Sequence, residues 1–288
     1  MQIFSPKVST KLKFVGISIA TKYEAMKSTA REEAKLVLCG SIICECDDLR
    51  KHILSKKKDG GHAWSDFDND GDMDLIGGNM GKNARFRPSA KEPLRMYLND
   101  FDENGKSEQL LTYYLNGQEV LFANHSELTM QLPMLKKKYI LAQDLAKADF
   151  REVLGKRKLA KAEKFEVNTF ESIFFENTGS GFEAKPLPDA LQMSALTSLL
   201  RHDFDGDGKN EAILGGNFYD SNIEMGRYDN NFGNIMSYDN DELKVFSLGN
   251  IPVKEQVRAI QKITINGNPC FIFAKNNAPI QILRFIKE

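Results

Sequence analysis

The sequence predicts a mainly β chain interrupted by one helical insertion. Three observations carry this expectation. From about residue 61 onward, short apolar or alternating runs recur between turn-like clusters, the pattern of strands. The stretch DFDNDGDMD at 66–74 returns as DFDENGKSE at 100–108 and DFDGDGKNE at 203–211, an internal repeat. Between 126 and 164 the strand pattern gives way to helix formers.

Residues 1–60 read apart from the rest, as an atypical segment with a short helix at 23–36, a strand at 35–44 and a charged stretch without a clear period. Beyond it, strands are expected at 75–77, 94–98, 109–114, 119–122, 172–176, 182–186, 212–214, 233–238, 243–247, 259–265, 270–274 and 280–285. The NTGSG run at 177–181 and the pair Asn266-Gly267 supply hairpin turns, the latter suited to type I′ geometry. Within the insertion, Ser126 is placed to cap the first helix and Pro133 to interrupt or end it. The basic runs Lys136, Lys137, Lys138 and Lys156, Arg157, Lys158 read as solvated helix faces, the alternative being a site for an anionic partner, against which the acids interspersed nearby count.

Bulk composition narrows the function. The chain has 288 residues, 41% apolar and 27% charged, as expected of a soluble globular protein with a sizeable core. Its formal charge of −1 carries no basic footprint for nucleic acid. No run of apolar residues is long enough to span a membrane. The apolar stretch 14–20 is short for the core of an export signal, and no cleavage site follows it. Cys39, Cys44, Cys46 and Cys270 are too few for a disulfide framework, and the first three lack a fourth ligand for zinc.

Alternating carboxylates around a glycine are what a hard cation requires. Calcium takes six to eight oxygens at about 2.3–2.6 Å, which a tightly coiled loop supplies from alternate positions. In the first loop Asp66, Asp68 and Asp70 would serve as positions 1, 3 and 5, Asp72 would offer its carbonyl at 7, and Asp74 would close the set at 9. The second offers Asp100, Asp102, Asn104, the Lys106 carbonyl and Glu108. The third offers Asp203, Asp205, Asp207, the Lys209 carbonyl and Glu211. Lysine at position 7 in two copies supports a backbone contribution there, because an ammonium cannot ligate a cation. An EF-hand would need a glutamate at position 12, where Gly77, Leu111 and Leu214 stand, and helices on both sides. A dockerin fails for similar reasons. A phosphatase-type Asp-x-Asp nucleophile should follow a strand, whereas these loops precede theirs.

Loops of this form leading into a strand and then Gly-Gly-Asn, as in DFDNDGDMDLIGGN and DFDGDGKNEAILGGN, resemble FG-GAP/VCBS repeats. The run EPLRMYLNDFDENG, the hairpin FFENTGSGF, the segments GGNFYDSNIEMGRYDNNFG and AKNNAPIQILRF, and the insertion SELTMQLPMLKKKY extend the resemblance to the C-terminal part of large bacterial VCBS-repeat proteins. It covers about 61–288. It implies a calcium-binding β-propeller like that of integrin α heads, here partial or open, since the expected strands fill roughly three four-stranded blades. It also implies an extracellular or cell-surface protein, and upstream blades missing from this chain.

Two function classes follow. The favoured one is a noncatalytic calcium-binding module for adhesion or for binding a protein or glycan at a surface, with self-association through open sheet edges. The alternative is a metal-dependent hydrolase using an aspartate cluster or a cleft beside the insertion. Against it, no paired His-Glu motif, activated Ser or Cys arrangement or phosphate loop is present. His62, His125 and His202 read as structural or exposed, with orientation of the third loop the alternative for His202, which directly precedes Asp203.

Overall fold

The computed structural model describes residues 63–68, 70–239, 241–248 and 251–285. The expected helix at 23–36, the strand at 35–44, the clustered cysteines and His62 lie outside the described residues.

β1 (Ala63–Ser65) and β2 (Asp74–Gly77) pair around the first aspartate loop. β3 (Leu94–Asn99) and β4 (Glu108–Leu115) pair around the second, and β5 (Gln118–Leu121) turns back on β4. Five short helices follow: α1 (His125–Gln131), α2 (Leu135–Lys138), α3 (Ala142–Lys147), α4 (Phe150–Leu154) and α5 (Lys156–Lys161). β6 (Glu163–Val167) then returns to pair with β3. β7 (Ile173–Asn177) and β8 (Phe182–Pro186) form the next hairpin. β9 (Leu196–His202) and β10 (Glu211–Gly216) flank the third loop, followed by β11 (Asn234–Asp239) and β12 (Glu242–Ser247). β13 (Gln256–Ile265), β14 (Asn268–Asn276) and β15 (Gln281–Leu283) complete the described strands.

The described residues are mainly β, in four antiparallel sheets, none of them closed. The first has the order β1-β2-β7-β8, the second β5-β4-β3-β6, the third β12-β11-β10-β9 and the fourth β13-β14-β15. The second sheet and all five helices are therefore inserted between two neighbouring strands of the first.

β10 explains how three sheets stack. Its sequence, EAILGG, is buried at every position. Because side chains alternate across a strand, Ala212 and Leu214 join a core with Phe67, Ile76 and Phe174 of the first sheet and its loop. Ile213 points the other way, into a core with Ile260, Phe271 and Phe273 of the fourth sheet. The second sheet is likewise covered on both faces. Tyr97 and Leu110 meet Leu128, Leu132, Leu135 and Leu154 of the helices, while Leu94 and Leu111 meet Phe86, Phe122 and Phe170.

The repeated Gly-Gly-Asn is a packing device at this junction. A Cβ on Gly78 would lie 2.3 Å from the Leu196 carbonyl oxygen, and one on Gly216 would lie 1.7 Å from that of Ala195. Both copies thus press their second glycine against the start of β9, an approach no side chain permits. The following asparagine ties the seam: Asn217 accepts from the Asn231 amide and the Ser194 hydroxyl, and donates to the carbonyls of Asn231 and Glu255.

Most expected strands are present within a residue or two of their bounds, and both expected hairpin turns form. Asn266 and Gly267 both take positive φ, 50° and 77°. Asn116-Gly117 makes the same turn between β4 and β5, with φ of 51° and 78°, and carried the same signal in sequence. β1, β6 and β9 are strands that the sequence reading did not expect. β6 reads EKFEV, and its charged residues look helical until Phe165 and Val167 are placed against β3. The helical insertion accordingly ends at Lys161, short of 164. Asn124, not Ser126, caps α1: its side chain accepts from the Glu127 amide at 3.0 Å while Glu127 reaches back to the Asn124 amide. α1 does end before Pro133. Lys158 also departs from a solvated face, because its ammonium donates to the Phe101 carbonyl at 2.7 Å and lies 3.2 Å from Glu103.

Candidate metal loops

Each aspartate loop is a hairpin connection between antiparallel strands, β1–β2, β3–β4 and β9–β10. The residue at position 9 is the first of the outgoing strand in all three: Asp74, Glu108 and Glu211.

One hydrogen-bond scheme recurs. Position 1 receives the amide of the position-6 glycine: Gly71 to Asp66 at 3.2 Å, Gly105 to Asp100 at 2.8 Å, Gly208 to Asp203 at 3.1 Å. Position 3 receives the amide of position 5, so Asp70 donates to Asp68, Asn104 to Asp102 and Asp207 to Asp205. Position 5 receives the amide of position 7, so Asp72 donates to Asp70, Lys106 to Asn104 and Lys209 to Asp207. Amides of the coil thus turn inward on successive carboxylates or amides. The glycines at position 6 make this coil possible, with φ of 98°, 85° and 91°, where a Cβ would be strained.

A fourth bond closes each loop. The amide at position 2 donates to position 9: Phe67 to Asp74 at 2.9 Å, Phe101 to Glu108 at 2.7 Å and Phe204 to Glu211 at 2.8 Å. The phenylalanine ring at position 2 plugs the loop into a core. Phe67 and Phe101 are buried, and Phe204 packs against Phe271 and Phe285. The sequence reading overlooked these three residues, although their identity at one position in all copies was the available signal.

Carboxylate oxygens converge within 4.8 Å in each loop: Asp66, Asp68 and Asp70 in the first, Asp100, Asp102 and Glu108 in the second, Asp203, Asp205 and Glu211 in the third. Asp74 stands apart from its cluster. It is fully buried, and its second oxygen accepts from the Asn177 amide of β7 at 2.9 Å. The position-7 residues Asp72, Lys106 and Lys209 donate their amides within the coil.

The crowding raises the affinity of these groups for a proton. Burial pushes the Asp68 carboxyl up to about 6, and the charges of Asp74, Asp70 and Asp66 add to the shift against a bond from the Asp70 amide. Asp72 is raised by burial and then by Asp70 and Asp66. Asp74, Glu108 and Glu211 are raised chiefly by burial, opposed by the closing amides of Phe67, Phe101 and Phe204 and, for Asp74, by that of Asn177. Asp72 Oδ1 is buried without a hydrogen-bond partner. Converging oxygen donors, and repulsion that a positive charge relieves, make each of the three groups one that could hold a metal ion.

His202 stands in ring contact with Phe204 and Phe271, at 5.2 and 5.3 Å, and burial lowers its pKa. His125 bonds the Tyr139 carbonyl through Nε2 at 2.8 Å.

A cleft of about 840 Å³ does lie beside the helical insertion, between the β4–β5 hairpin and α3–α4. Its buried acid is Glu119. Oε1 accepts from Tyr97 and Thr112, and Oε2 from Arg95 and Arg151, all within 3.1 Å. Four donors fill the acceptor sites of one carboxylate, so Glu119 serves as the hub of a packed network. Burial, and after it the Glu119 carboxylate, push the Tyr97 hydroxyl up to about 12, against the charges of Arg95 and Arg151.

Comparison of the chain with protein-family models, curated proteins and solved structures returned no match.

Proposed function

We propose that this chain is a noncatalytic, calcium-stabilised β-sheet module of the FG-GAP/VCBS type, whose sheets act as blades of a partial or open propeller that presents a binding surface for a protein or glycan outside the cell. The observation that carries the reading is the recurrence of one loop scheme, with three converging carboxylate groups, at three equivalent strand-to-strand corners. Stacking of the first, third and fourth sheets through shared cores supports the blade arrangement.

In this reading the oxygens of Asp66, Asp68 and Asp70, of Asp100, Asp102 and Glu108, and of Asp203, Asp205 and Glu211 would hold calcium, and the cation would supply the positive charge that each corner lacks. Extracellular calcium sites commonly have Kd values of about 10⁻⁴–10⁻³ M. At ~1 mM calcium and a Kd of ~10⁻⁴ M, one site stabilises the fold by about 1.4 kcal/mol and three by about 4 kcal/mol. That is a large share of the roughly 5–15 kcal/mol of a whole fold. At cytosolic calcium most of it would vanish, which favours an extracellular working place.

Isothermal calorimetry on the chelator-stripped chain tests the assignment. The expected result is a calcium stoichiometry of three that falls to two when Asp203→Ala is introduced. Absence of saturable calcium binding overturns it.

A further inference from the structure

The helical insertion carries an apolar and basic surface that the calcium reading does not use. α1 and α2 turn Leu128, Leu132, Leu135 and Tyr139 inward against the second sheet, where they are buried. Four other large apolar side chains of the same segment are left outside: Met130 is 69% exposed, Met134 42%, Ile140 76% and Leu141 53%. Ile140 and Leu141 are consecutive, at the corner between α2 and α3. The core is already filled from the inward face, so these residues contribute little to folding and cost solubility.

Charge identifies what covers them. α2 is Leu135 followed by Lys136, Lys137 and Lys138, all three lysines exposed. From 130 to 143 the chain has those three lysines and no acidic residue, in a protein with 40 acids over 288 residues. An exposed apolar corner directly following a lysine cluster is matched by a surface that is apolar inside and anionic at its face. The lysine stems can lie along the apolar layer while their ammonium groups meet phosphates. Among the described residues no helix is long and apolar enough to cross a membrane, and the contact considered is peripheral.

We infer that the α2–α3 corner, with Ile140 and Leu141 inserted and Lys136, Lys137 and Lys138 of the preceding α2 beside them, is a docking site for an anionic lipid bilayer. The inference stands apart from the calcium assignment, since it uses none of the loop residues. A lipid surface is favoured over an acidic protein because the apolar side chains project from an outer helical corner, where a bilayer accepts them without a matching groove.

The test is sedimentation of the full chain with vesicles of phosphatidylcholine alone or mixed equally with phosphatidylglycerol, in chelator, at low and raised salt. The wild type is expected to bind the anionic vesicles only and to be released by salt. Ile140→Ser with Leu141→Ser should weaken partition by about tenfold or more. Replacing Lys136, Lys137 and Lys138 by glutamine should abolish it. The replaced side chains are exposed, so melting temperatures should be unchanged, and this is checked alongside. Three outcomes overturn the inference: no binding at low salt, binding that survives loss of Ile140 and Leu141, or binding that requires calcium. The last would place lipid contact at the acidic loops. Equal binding to soluble polyglutamate, indifferent to the serine pair, would instead identify an acidic macromolecule and also overturn it.

Discussion

The backbone amide of Phe67 donates to Asp74 Oδ2 at 2.9 Å, closing the first loop across its base, while the ring of Phe67 is buried between two sheets. A loop-closing carboxylate and a core plug are thus adjacent in function, and the loop cannot open without disturbing the core. Asp74 also takes the Asn177 amide at 2.9 Å. Asp74→Ala therefore strands two amide donors, and buried unsatisfied donors cost about 1–3 kcal/mol each. Urea denaturation should show a loss of about 2–6 kcal/mol, in chelator as well as in calcium. A loss confined to calcium would assign Asp74 to the cation instead.

Asp68 should behave in the opposite way. Its carboxylate is repelled by Asp66, Asp70 and Asp74 and desolvated by burial. In chelator, Asp68→Asn should leave stability unchanged or raise it, because a neutral amide removes that repulsion. In calcium the same variant should melt below the wild type. Differential scanning calorimetry in the two buffers reads both signs.

The pH dependence follows from the same group. The Asp68 carboxyl is raised from 3.8 to about 6, so the folded, metal-free chain holds this proton more tightly than the unfolded chain. Its contribution to stability is complete below about pH 3.8 and is lost as pH rises through about 6. Asp72, Asp74, Glu108 and Glu211 are shifted in the same direction. In chelator, the difference in melting temperature between wild type and Asp68→Asn should therefore move against the wild type as pH rises from about 4 to 7. Calcium competes for the site, so its affinity should fall below about pH 6 and its binding there should release protons. Calorimetry in buffers of different ionisation enthalpy measures that release.

The second loop should bind calcium least tightly. Asn104 stands where the others carry Asp70 and Asp207, leaving three carboxylates among the alternating positions rather than four. Asp100→Ala should then cost less total calcium binding than Asp66→Ala or Asp203→Ala, and Asn104→Asp should strengthen the site. Calorimetry ranking Asp100→Ala as the most damaging of the three contradicts this order.

Much of this architecture was legible in the sequence, and for physical reasons. Alternation and turn chemistry located strands such as β8 and β14, and Asn266-Gly267 dictated its own turn because few other pairs accept positive φ twice. Position-6 glycines marked the coil of each loop for the same reason. β6 was hidden because EKFEV has helix-forming residues, and only pairing with β3 gives its Phe165 and Val167 an apolar side. β9 was hidden because its alternation is weak and most of its residues are half-buried. The Gly-Gly-Asn repeat was visible, but its role depends on backbone contact with Ala195 and Leu196, which no local pattern encodes. Lys158 was likewise invisible as a partner of the second loop, since Phe101 is remote in sequence. The loop-closing bonds from Phe67, Phe101 and Phe204 join positions 2 and 9, and the recurrence of phenylalanine was their only trace.

Thermal unfolding of the purified chain, with calcium titrated against a chelator and magnesium as the control, tests the central claim most directly. Three filled sites worth about 4 kcal/mol predict a calcium-specific rise in Tm of about 8–16 °C. A cooperative melt in chelator that calcium fails to shift, or that magnesium shifts equally, would contradict the account.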